Sequence, residues 1–107
     1  MNNEKQRIAI AEACGWRCTA AFKEAFACWV KPNGMDHQTE WLPDYLNDLN
    51  AMHGAEKVLD PDDYAQYEQN LRKTYPVFMG GGFHLLHATA AQRAEAFLRT
   101  IGKWAID

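Results

Sequence analysis

Residues 89–102, TAAQRAEAFLRTIG, carry the full punctuation of a helix. Thr89, with Gln92 three positions on, makes a capping box at the start. Ala94, Phe97, Leu98 and Ile101 recur at helical spacing and form one apolar stripe. Glu95 and Arg99 stand four apart, a favourable pair on a helix surface. Gly102 stands where a helix gives way to a left-handed residue. A helix with a single apolar stripe has to bury that stripe against another layer, so the rest of the chain must supply one.

Three more helices are expected. Residues 3–14 place Ile8, Ala11 and Cys14 on one face, and Gly15 stands at the C′ position. Residues 44–59, DYLNDLNAMHGAEKVL, space Tyr45, Leu49, Met52, Ala55 and Leu59 helically, with Asp44 after Pro43 as N-cap. Gly54 within this helix costs about 1 kcal/mol relative to Ala, which suggests a close packing contact there. Asp60, Pro61 and Asp63 then start a third helix with Tyr64, Tyr67 and Leu71 as its stripe, and Pro76 closes it. Between the first two helices, FACWV and HQTEWL read as strands joined at PNG, where Asn33-Gly34 suits a tight turn. Alternation puts Phe26, Cys28 and Val30 on one strand face and Trp29 on the other. VFM and FHLLHA, on either side of Gly80-Gly81-Gly82, are also strand-like. The expected architecture is α+β over residues 1–107: a single-domain sandwich, with a small, mainly antiparallel sheet packed with about four helices.

The chain of 107 residues suits one core, and 48% hydrophobic residues supply it without staples. A net charge of −3, with Lys and Arg scattered, does not fit a protein that relies on nucleic-acid phosphates. No apolar h-region opens the chain, and no apolar run approaches the roughly 20 residues of a membrane span. Three Cys without a secretion signal read as reduced thiols, which places the protein in the cytoplasm.

The stretches IAEACGW, WVKPNG, LPDYLNDLNAMHGAEKVL and ATAAQRAEAFLRTIGKW together resemble small phage and prophage proteins of the phage ABA sandwich domain family. The resemblance spans nearly the whole chain, and DYLNDLNAMH and ATAAQRAEAFLRT are its most specific parts. In that family a Glu often follows the His of NAMH. Gly54 stands there in this chain, which removes that carboxylate. The resemblance implies a phage-borne accessory protein acting in the bacterial host cell. It implies no catalytic chemistry.

Candidate chemistry is sparse. Cys14, Cys18, Cys28 and His37 lack the paired spacing of a zinc site. His84 and His87 face opposite sides of a strand. Asp60, Asp62 and Asp63 lack EF-hand spacing, and helix capping accounts for two of them. No metal and no cofactor is expected. The chain has no serine, and Cys14 at a helix C-terminus is at the wrong end of the dipole for a thiolate nucleophile. His53 lies three residues from Glu56, within reach for a surface salt bridge or an acid–base pair. No catalytic residue is assigned.

Ligand binding has more support. The helix starting at Thr89 offers free N–H groups and a positive dipole end, and Arg93 one turn in can join an anion there. Trp41 and Tyr45 can stack a base, and His53 adds a polar contact. Trp29, alternating away from the apolar strand face, is the residue expected at an exposed interface, consistent with a homo-oligomer. The run Gly80-Gly81-Gly82 lacks the Lys-Ser/Thr ending of a phosphate loop and stands six residues before the helix, so it reads as a turn. These residues lead to the expectation of a non-enzymatic, nucleotide-sequestering anti-defence protein. The alternatives are a protein–protein inhibitor of a host defence complex and, below it, a small hydrolase using His53.

Overall fold

The computed structural model describes residues 1–18, 29–31, 39–40, 42–74 and 88–105. In chain order the described elements are α1 (Asn3–Ala13), β1 (Arg17–Cys18), β2 (Trp29–Val30), β3 (Thr39–Glu40), α2 (Leu49–Glu56), α3 (Pro61–Thr74) and α4 (Ala90–Thr100). Helices and an antiparallel sheet together make the class α+β, as expected. The Asn33-Gly34 turn, the strand-like segments VFM and FHLLHA and the three glycines between them lie outside the described residues.

Helix ends follow their sequence signals. Asn2 caps α1 by accepting from the Lys5 amide. At the other end the Gly15 amide donates to the Glu12 carbonyl and the Trp16 amide to the Ala11 carbonyl, a Schellman closure with Gly15 at φ 96°. α4 closes identically, with Gly102 donating to Arg99 and Lys103 to Leu98, and Gly102 at φ 74°. Asp60 caps α3 through the Asp63 amide at 2.8 Å.

α2 differs from expectation. It begins at Asp48, not at Asp44. The Asn47 and Asp48 amides both donate to the Asp44 carbonyl, which closes residues 44–47 as a separate turn. The Asp48 carboxylate then takes the Asn50 and Ala51 amides as the true N-cap. Tyr45 and Leu46 still reach the core from that turn, while Leu49, inside the helix, is 40% exposed. Gly54 marks no close contact: a Cβ built there meets nothing within 4 Å.

β2 is the central strand, pairing antiparallel with β1 (Cys18 opposite Trp29) and with β3 (Thr39 opposite Val30). A two-residue turn on Asn33-Gly34 in an unbroken ladder would set Val30 against His37, so the observed register stands two residues further along. β1 had no sequence signal, since two residues are too short to show alternation.

Trp29, expected on an exposed face, is fully buried, and this corrects its assignment as an interface residue. It joins the main core with Ile10 of α1, Leu42, Met52 of α2, Tyr67 and Leu71 of α3, and Phe97 and Leu98 of α4. Val30 is buried as well, outside that cluster. Alternation correctly separates the two faces of β2. It does not reveal that both are covered, as on a central strand with layers on either side. α4 packs chiefly on α3 and also touches α1 and α2. Its apolar stripe is the centre of the core, where fully burying a side chain such as Phe97 contributes about 1.5–3 kcal/mol.

Candidate functional site

Of the described residues expected to bind a ligand, His53 and Arg93 meet on Glu56, while Thr89 and Tyr45 stand apart from them. Thr89 is exposed at the start of α4 and closes the capping box in both directions: the Gln92 amide donates to its hydroxyl at 3.1 Å, and its own amide donates to Gln92 Oε1 at 2.8 Å. Arg93 does not turn toward that helix start. Its Nε donates to the Ala88 carbonyl at 3.2 Å, and its Nη1 to Glu56 Oε2 at 3.2 Å. Both side chains of the Glu56–Arg93 pair are 8% exposed, so the guanidinium is a neutralised interior group rather than a free anion ligand.

Tyr45 is also withdrawn. It is 3% exposed, which excludes it as a stacking platform for a base. Its phenol is pushed well up, by burial first and then by the neighbouring Cys14 thiol. Burial likewise raises Cys14, against a smaller downward pull from the Tyr45 hydroxyl. A thiol held neutral in this way is a poor nucleophile. Trp41 lies outside the described residues, as do Cys28, His37, His84 and His87. Among the described residues no group of three or more His, Cys, Asp or Glu side chains could hold a metal ion.

Two arrangements emerge instead. The first is a polar junction of α2, α3 and α4. His53 Nδ1 lies 2.6 Å from Glu56 Oε1, and the other oxygen of the same carboxylate takes Arg93. His53 is 49% exposed, so the junction runs from the surface into the core. The Tyr67 hydroxyl is buried beside it, close to Glu56 and Arg93, and meets no partner at full hydrogen-bond geometry among the described residues. Burial raises the Tyr67 phenol first, the Glu56 carboxylate raises it further, and Arg93 pulls the other way. Tyr64 stands above, 41% exposed, with its ring centroid 5.6 Å from that of Tyr67 and tilted by 59°.

The second is a cleft of about 240 Å³ between α1 and α4, lined by Asn3, Gln6, Leu46, Gln92, Glu95 and Trp104. Ala91, in the first turn of α4, also borders it. Arg99 packs over the Trp104 ring at 5.1 Å and is itself held by Glu95 at 3.1 Å. An indole covered on one face by a cation that is itself held in place needs less ordering when a ligand arrives. A larger cleft, about 390 Å³, lies beside Ala9, Glu12, Ala13, Ile101 and Lys103, with no aromatic wall among the described residues.

Sequence reasoning underrated Glu56 and missed Trp104 as a cleft wall. A signal for Glu56 was present: it stands four residues after Met52, on the stripe that α2 buries. A carboxylate on an apolar stripe calls for a buried cation. Trp104 gave no such sign, because it follows Gly102 and its direction depends on the Schellman closure. No family model, no curated protein and no solved structure matches the chain.

Proposed function

We propose that the protein binds a nucleotide-type small molecule in the cleft between α1 and α4, and acts by holding that molecule away from other proteins. The fixed Trp104 indole at the cleft carries this reading. A base laid on that ring gains about 1–3 kcal/mol. Asn3, Gln6 and Gln92 line the cleft, and the amide atoms left over from the Gln6–Met1 and Thr89–Gln92 hydrogen bonds suit base edges, while Glu95 suits ribose hydroxyls. Ala91, in the first turn of α4, borders the same cleft, so the positive end of the helix dipole lies near it. Sequestration of a nucleotide-derived immune signal fits the phage accessory role implied by the resemblance. A single-domain sandwich is the matching architecture, supported by Trp29 of the sheet sharing one core with the four described helices.

Calorimetry against cyclic dinucleotides, cyclic mononucleotides and ADP-ribose tests the reading. Saturable heat from one class, lost in Trp104→Ala and with the ligand recovered intact, is the expected result. No heat and no thermal stabilisation from any of them refutes it.

A second reading, inhibition of a host defence complex by direct contact, is favoured by the exposure of Leu49, Val58 and Tyr64 around α2 and the start of α3. Stoichiometric capture of one host protein, lost in a Leu49→Asp/Tyr64→Asp double variant, separates it from the first.

A further inference from the structure

The geometry points to His53 Nε2 as a phosphoryl-acceptor site, independent of the Trp104 cleft. The argument begins at the other ring nitrogen. Glu56 Oε1 stands 2.6 Å from His53 Nδ1, and a carboxylate only accepts, so Nδ1 carries the proton. The lone pair of the neutral ring is then on Nε2, and the ring is half exposed. An ordinary pair three apart on a helix surface wavers between rotamers. This one does not, because the carboxylate is buried and its second oxygen is fixed by Arg93 from another helix. A nucleophile, an orienting group and a third group that orients the orienter are the parts of an activated side chain. Lys57, exposed one turn after His53 on the same helix face, supplies a cation for an incoming phosphoryl group.

In the reaction the Nε2 lone pair attacks phosphorus of a small phosphoryl donor. The Nε2–P bond forms as the bond from phosphorus to the leaving group breaks, and the leaving group departs with that electron pair. The Nδ1 proton stays in place. The ring gains positive charge, and the Glu56 carboxylate offsets it. With phosphoramidate the leaving group is ammonia, and no oxidant or reductant is required.

The test is incubation of the full chain with phosphoramidate, followed by intact mass and site mapping at alkaline pH, where phosphohistidine survives. A single acid-labile phosphoryl group on His53, absent in His53→Gln, is expected. His37, His84 and His87 serve as internal controls, each labelled about tenfold more slowly or worse, a difference of about 1.4 kcal/mol in barrier. Glu56→Gln gives a sharper test. Arg93 can only donate, so the new amide turns its oxygen to Arg93 and its NH2 to His53. That moves the ring proton to Nε2 and removes the nucleophile, and labelling slows at least tenfold. Lys57→Ala, a surface change that leaves the fold alone, slows labelling too and serves if Glu56→Gln does not fold. Equal labelling of all four histidines, or undiminished labelling of His53 in Glu56→Gln or Lys57→Ala, overturns the proposal. Because neither variant touches Trp104, nucleotide binding and phosphoryl acceptance can fail separately.

Discussion

Removing Glu56 breaks the buried charge pair at the three-helix junction from one side. Its carboxylate stands 3.2 Å from Arg93 Nη1, and both side chains are 8% exposed. At an effective dielectric near 20, two unit charges at that distance attract by about 5 kcal/mol before desolvation is subtracted. Glu56→Ala leaves the guanidinium buried, with its Nε still on the Ala88 carbonyl and the Glu56 carboxylate gone from Nη1. Breaking a buried pair from one side is expected to destabilise by about 3–5 kcal/mol. A domain of this size holds roughly 5–15 kcal/mol, so the loss is a large share of the total. Urea unfolding followed by tryptophan fluorescence should show it as a lowered midpoint, and Tm should fall by more than about 10 °C. Arg93→Ala should cost a similar amount, because it leaves the buried carboxylate with His53 as its remaining partner among the described residues. The double variant Glu56→Met/Arg93→Met should recover most of the loss, since two apolar side chains replace two charges. Single variants that each cost under about 1 kcal/mol, or a Glu56→Ala/Arg93→Ala double that adds within about 0.5 kcal/mol, would refute the reasoning.

Other outcomes follow from single contacts. Gly54→Ala should stabilise by about 0.5–1 kcal/mol in the same assay, because α2 has open space at that Cβ and Ala is the better helix former; destabilisation would mean an undetected close contact. Arg7 donates through Nε to the Pro43 carbonyl at 2.8 Å and through its other nitrogen to the Leu42 carbonyl, so Arg7→Ala should lose about 1.5–3 kcal/mol by freeing the approach to α2. Alkaline pH should weaken the fold, since Cys14, Tyr45 and Tyr67 all have folded pKa values above their ordinary 9.0, 10.0 and 10.0. Raised acids keep their protons when folded and lose them when unfolded. Their contribution is therefore complete below pH 9 and declines as pH rises past the unfolded values, which a urea series at increasing pH will read.

The parts of the fold that were legible in the sequence are those set by local chemistry. The capping box at Thr89, the Asp60 cap and the glycine exits at Gly15 and Gly102 depend on neighbours within six residues. All four formed as read. The start of α2 was misplaced because Asp44 and Asp48 are both competent caps, and the choice between them depends on where Tyr45 and Leu46 must be buried. Trp29 was misread for a similar reason. Alternation assigns a side of the strand, but a partner layer decides whether that side meets water. The site suffered most, because Arg93 one turn inside a helix looks the same whether it faces an anion or a buried Glu56 thirty-seven positions away.

α2 has only eight residues, well short of the length at which a helix holds itself together in water. Its shape is borrowed from the contacts that pin it, above all Glu56 on Arg93 and Met52 in the core. The surface it presents, with Leu49, His53 and Lys57, is therefore conditional on an interior charge pair. Amides of α2 should exchange with solvent in step with the rupture of that pair, earlier than those of α4. A partner that docks on this face would, by the same linkage, tighten a salt bridge it never touches.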